Sequence, residues 1–164
     1  MASGDSLVSW GPRDGLPPAA NPATPDTRND NPVLEFDATT AESAYFGASL
    51  PANYAGGGIT ATIVWAADTA TTGSVVWGLS FERHQDGTDT IASDSFATEQ
   101  TATSPAPGTA GIYKYRTIAF TNGAQIDSLA VGEHFRVKLR RLATDGSDDM
   151  TADAQFVNLE LKET

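Results

Sequence analysis

From Val33 onward, apolar and polar positions alternate in short runs, each ended by a cluster of Gly, Asp, Asn or Pro. In 59–65, Ile59, Ala61, Ile63 and Trp65 fall on one side of an extended chain, and Thr60 and Thr62 on the other. Val75, Trp77, Leu79 and Phe81 stand against Gly78, Ser80 and Glu82. Phe135, Val137 and Leu139 stand against Arg136, Lys138 and Arg140, and Val157, Leu159 and Leu161 against Asn158, Glu160 and Lys162. A period of two with one apolar side belongs to antiparallel strands that lay one face on a core. With 6–10, 33–37, 43–50, 94–104 and 112–121 added, about nine strands are predicted, at spacings typical of sandwiches and barrels. No window sustains a helical period, and "AQIDSLAVG" supports one helical turn at most. The fold class that follows is all-β, an antiparallel β-sandwich of jelly-roll type. Alternation does not carry strand order, so a different sandwich topology is the alternative.

Parity also limits what the aromatic residues do. Trp65 and Trp77 lie on apolar sides and are predicted to be core. Tyr113 and Tyr115 share a face with Thr117, opposite Lys114, Arg116, Ile118 and Phe120, which makes the two tyrosines the better candidates for an interface. Trp10 lies outside the pattern and either docks on a neighbouring subunit or plugs one end of the sandwich.

Residues 1–32 have another character. The stretch 11–32 holds six of the chain's nine prolines, and Leu16 is its only sizeable apolar residue. Residues 1–32 are therefore expected to form an extended Pro-rich N-terminal arm, and 33–164 the sandwich domain. An arm of this composition orders by laying its backbone along neighbouring subunits, with Trp10, Leu16, Pro17, Pro18, Pro22 and Pro25 as the contact residues. Proline reduces the entropy lost in that ordering. The alternative is that the arm wraps its own sandwich.

Charge narrows the function. The 164 residues carry a formal charge of −11, which argues against nucleic acid and anionic membrane as partners. With no cysteine, there are no disulfides or thiolate metal sites. The N-terminus lacks the blocks of a signal peptide, so the protein is expected to act in the cytosol where it is made or to leave by lysis. His84 and His134 read as solvated side chains at strand ends. No nucleophile elbow or phosphate-cradling loop occurs, so no enzyme activity and no cofactor are expected. "TDGSDDMTAD" offers Asp145, Asp148, Asp149 and Asp153 as a weak calcium loop without EF-hand spacing. Lys114, Arg116, Arg136, Lys138, Arg140 and Arg141 are six of the ten basic residues. Arg136, Lys138 and Arg140 form a stripe that either meets acidic loops of a partner or stays solvated.

A resemblance enters at the level of whole segments. "LPANYAGGGITATIVWAADTATTGSVVWGLSFER" and the run from "SDSFATEQ" to "FVNLELKE" resemble small jelly-roll virion proteins of tailed bacteriophages, and "PATPDTRNDNPVLEFDATTAESAYF" resembles their N-terminal segment. The resemblance implies a capsid cement or decoration protein on the outer capsid surface, made in the bacterial host cytoplasm. Its partners would be the major capsid protein and itself, as a trimeric homo-oligomer. Its contact residues would be those of the arm together with Tyr113, Tyr115, Arg136, Lys138 and Arg140. The alternatives are a tail-fibre or receptor-binding module and a carbohydrate-binding jelly-roll module. The last needs exposed aromatic rings or an ordered calcium loop, and Tyr113, Tyr115 and the Asp-rich turns are what the chain offers.

Overall fold

The computed structural model describes residues 4–164. Its strands are β1 (Ser6–Trp10), β2 (Thr24–Arg28), β3 (Asn31–Phe36), β4 (Ser43–Ser49), β5 (Ile59–Ala67), β6 (Ser74–His84), β7 (Gln100–Pro105), β8 (Lys114–Phe120), β9 (His134–Arg141) and β10 (Ala154–Glu163). Two short 3-10 turns, Pro12–Asp14 and Ala124–Ile126, are the helical elements among the described residues. No helix among them is long and apolar enough to cross a membrane. One sheet has the order β2-β3-β10-β5-β8, with β1 also pairing β10. The other has the order β4-β9-β6-β7. Every ladder is antiparallel, so the fold is the expected β-sandwich.

The core lies between the sheets and is built from the alternating side chains read from the sequence. Trp65, Trp77, Phe81, Phe135, Leu139, Leu159 and Leu161 are fully buried. The two tryptophans meet edge to face at 6.1 Å, and Trp65 Nε1 donates to the buried Ser104 hydroxyl at 3.0 Å. Burying rings of this size contributes on the order of several kcal/mol each.

Residues 6–32 are not a free tether, which corrects the expectation that other chains hold them. β1 runs against β10 from Ser6↔Lys162 to Trp10↔Leu159. Leu16 and Tyr45 exchange backbone hydrogen bonds of 2.8 and 2.9 Å, and Ala23 N–H donates to Ser43 O at 3.0 Å. β2 and β3 form a hairpin whose turn residues, Asn29 (φ 47°) and Asp30 (φ 63°), are both left-handed, as a two-residue primed turn requires. β2 is an edge strand, where Pro25 costs no ladder hydrogen bond. The segment is extended, as its prolines imply, but its polar backbone is satisfied by its own sheets. Trp10 resolves as the plug: it is 6 % exposed, packs on Phe46 and Phe135, and donates from Nε1 to Gly47 O at 3.1 Å. Of the arm's other proposed contact residues, Leu16 is 63 % exposed, Pro17 lies beside it, Pro22 bridges to Ser43, and Pro18 is half-buried.

Candidate functional site

The outer faces of the two sheets differ. On the four-stranded sheet, a strap of residues 85–99 lies over the strands. The weak strand expected at 94–104 begins only at Gln100, because 94–99 belong to this strap. Ala97 N–H donates to Phe81 O at 2.8 Å, and Ser95 N–H to Glu82 Oε1 at 2.7 Å. The Phe96 ring lies 5.7 Å from the Tyr45 ring, with the Arg136 guanidinium at 5.0 Å and Lys138 Nζ at 4.6 Å from it. Glu99 pairs with Arg140 at 2.6 and 2.9 Å, directly above Gly78, where a Cβ would meet the Glu99 carboxylate at 2.6 Å. Arg136 pairs with both Glu82 and Asp94. Arg136 and Arg140 of the basic stripe are therefore matched by carboxylates within the chain, while Lys138 lies over the Phe96 ring.

Arg141, the sixth basic residue of that cluster, points inward. It is fully buried, pairs with the equally buried Asp148 at 2.8 Å, and donates to the carbonyls of Phe36, Ala152 and Met150. This spends one proposed calcium ligand. Asp149 accepts from Ser74 N–H at 2.7 Å, Asp153 from Ala38 N–H at 3.1 Å, and Asp145 from Ser147 N–H at 2.8 Å. The loop's carboxylates bind backbone N–H groups of the loop itself, of β6 and of the segment after β3, and no cluster of three or more metal-ligating side chains occurs among the described residues.

Among the described residues, no comparable strap lies over β8, β5 and β10 of the six-stranded sheet. Tyr113 and Tyr115 are 56 % and 67 % exposed on this face. β8 pairs with β5 so that Tyr115 stands opposite Val64, and Val64 in turn opposite Asn158 on β10. Thr62 stands opposite Thr117 on one side and Glu160 on the other. The β5–β10 register shifts between Phe156 and Asn158, and this bulge turns the additional residue, Val157, into the same row. The result is a trough of about 320 Å³ lined by Thr62, Val64, Tyr113, Tyr115, Val157, Asn158 and Glu160. A second hollow of about 330 Å³ shares Tyr113 and Val157 with it and continues past Ala66, Gln155, Asn31 and Arg28. Arg28 is fixed there by bonds from Nη1 to Gln155 Oε1 at 2.8 Å and Ala67 O at 3.1 Å. Two exposed rings beside amide, hydroxyl and carboxylate groups offer apolar contact and hydrogen bonding in one surface.

A third feature went unread in the sequence. His84 and His134, expected as separate solvated side chains, are directly opposed in the β6–β9 register, with their Nδ1 atoms 2.8 Å apart. The only available signal was their position at the ends of two strands, and pairing them requires the strand order. They sit in a cleft of about 550 Å³ that also includes Trp10, Leu16, Tyr45 and Ile91. Burial, and then the neighbouring His84, hold the His134 imidazole below its ordinary pKa.

Neither a family model nor a curated protein matches the chain. Among solved structures it is similar to the CBM22-1 xylan-binding domain of Paenibacillus barcinonensis Xyn10C. That likeness has a TM-score of 0.55 at 9 % identity and covers 99 % of this chain and 97 % of that one. It is also similar to the K1 cleaved adhesin domain of Lys-gingipain from Porphyromonas gingivalis W83 (TM-score 0.48, 16 % identity, 98 % and 99 % covered) and to CBM35 of Cellvibrio japonicus Abf62 (0.46, 10 %, 98 % and 87 %). The first of these likenesses shows the fold, a jelly-roll-like β-sandwich.

Proposed function

We propose that the protein is a non-catalytic glycan-binding module whose site is the tyrosine trough on the six-stranded sheet. The observation that carries this reading is the pair of exposed rings, Tyr113 and Tyr115, beside Thr62, Asn158 and Glu160 on an uncovered sheet face. A pyranose has an apolar face of C–H bonds that stacks on an aromatic ring, and a rim of hydroxyls that suits planar amides and carboxylates. Such sites combine apolar area with a few placed polar groups. The chain's net charge of −11 disfavours an anionic glycan, so the ligand is a neutral polysaccharide laid along β8 and β5. The fold shared with a xylan-binding domain supports the reading at the level of architecture. The virion reading rests on the sequence resemblance. The two are compatible, because a glycan-binding module on the outside of a particle would hold it to a sugar-coated surface.

The test is titration calorimetry against a panel of neutral oligosaccharides, including xylan fragments, with the full chain and with Tyr113→Ala/Tyr115→Ala. The double variant is expected to lose roughly 30- to 100-fold in affinity, the equivalent of about 2–3 kcal/mol for two stacked rings, with the melting temperature unchanged. Failure of every neutral glycan to bind, or binding that survives loss of both rings, overturns the proposal.

A further inference from the structure

We propose that His84 and His134 form a two-imidazole chelate for a late first-row divalent cation of the zinc, nickel and copper class, on the opposite side of the sandwich from the tyrosine trough. The two residues are cross-strand partners at the ends of β6 and β9, so the ladder itself places their side chains together. Their rings are within 14° of parallel, with centroids 5.0 Å apart and Nδ1 atoms only 2.8 Å apart, so they meet edge to edge through nitrogen. A contact of that length between two nitrogens exists only with a proton between them, one imidazole donating and the other accepting. A divalent ion takes that place once the donating ring carries its hydrogen on Nε2 instead of Nδ1, so that both Nδ1 lone pairs face the ion. Metal–imidazole bonds of about 2.0–2.1 Å set the two nitrogens about 2.9–3.4 Å apart for angles between square and tetrahedral. The movement required is therefore a few tenths of an ångström and a tilt of two rings at half-exposed strand ends.

The surroundings fit this chemistry. Glu82 Oε2 lies 3.7 Å from His84 Nε2, behind the ring, where a carboxylate favours the tautomer with hydrogen on Nε2 and a lone pair on Nδ1. Glu82 is anchored by Arg136 and by Ser95 N–H, and Asp94 by Arg136, so two carboxylates share one guanidinium and leave a net negative charge that favours a cation in the cleft. Asp14, the other acidic residue in the cleft, accepts from Gly11 N–H. Only two protein nitrogens converge, so solvent or a donor from a molecule in the 550 Å³ cleft completes the coordination. Imidazole ligands select this class over calcium and magnesium.

Calorimetric titration of the full chain with nickel chloride, run at pH 7.5 in two buffers of different ionisation enthalpy, tests the proposal. The expected result is one ion per chain with essentially no net proton release at pH 7.5, because the donating ring's hydrogen moves from Nδ1 to Nε2 and both imidazoles bind as neutral ligands. Binding should be at least about tenfold weaker in either His84→Ala or His134→Ala, since a bidentate chelate becomes a single imidazole. It should also weaken as pH falls through the imidazole range. Melting temperatures of the metal-free variants show that they fold. Tryptophan fluorescence gives an independent readout through Trp10 in the same cleft. Nickel affinity unchanged in the double histidine variant, displacement of nickel by equimolar calcium, or no binding at millimolar nickel each overturns the assignment.

Discussion

The strap-covered face of the four-stranded sheet and the open face of the six-stranded sheet have similar alternation in sequence but different fates. β6 presents Gly78, Ser80 and Glu82 outward, yet all three are buried, because the strap of 85–99 crosses them. β8 presents Tyr115, Thr117 and Ala119 outward, and all three remain exposed. Outward residues of the first face are covered by the strap, while those of the second stay open to solvent. Parity says which way a side chain points. What lies on top of it is a separate fact, set by loop 85–99.

The sharpest form of the contrast sits in two adjacent arginines. Arg140 faces outward and pairs with Glu99, its own side chain 35 % exposed, whereas Arg141 faces inward and pairs with Asp148, both fully buried. Asp148→Ala leaves a buried guanidinium without its counter-charge and is expected to cost about 3–5 kcal/mol in chemical denaturation. Glu99→Ala exposes Arg140 to solvent and is expected to cost at most about 1 kcal/mol. Equal losses in the two variants would mean that the strap is as much a part of the core as the β9 interior.

These two arginines also show how far the sequence was legible. The inward positions of β5, β6, β9 and β10 followed from alternation, and so did exposure of Tyr113 and Tyr115. Arg141 was counted with the clustered basic residues but not with the outward stripe of Arg136, Lys138 and Arg140, and its odd position places it with Phe135, Val137 and Leu139. The strap was unreadable because "DTIASDSFATE" has no period, and its anchors, Glu82, Arg136 and Arg140, lie 13 to 42 residues away along the chain. The N-terminal segment misled through its prolines. They signal extended backbone, and an edge strand is as good a home for it as another molecule.

Phe96 separates the faces next. Phe96→Ala removes the ring that Tyr45, Arg136 and Lys138 surround and is expected to lower stability by about 1–2 kcal/mol, with glycan affinity unchanged. Tyr115→Ala should do the reverse. A Phe96 variant that gained glycan affinity would show that the strap conceals a second binding face.

The smallest effect is a pH dependence that differs between the two sheets. At the end of β9, burial and the neighbouring His84 lower the His134 pKa from its ordinary 6.5. The unfolded chain then binds the proton more tightly, so stability is lost as pH falls below 6.5. At the end of β10, the Glu163 carboxylate accepts from Gly57 N–H at 2.9 Å and Ala55 N–H at 3.0 Å, and these amides hold its pKa below the ordinary 4.5. Its contribution is complete above 4.5 and is lost as pH falls further. Thermal melts across pH 3–7.5 should therefore show two declines. His134→Gln is expected to flatten only the upper decline and Glu163→Gln only the lower, so a single variant that removed both would show that the two sheet ends titrate as one unit.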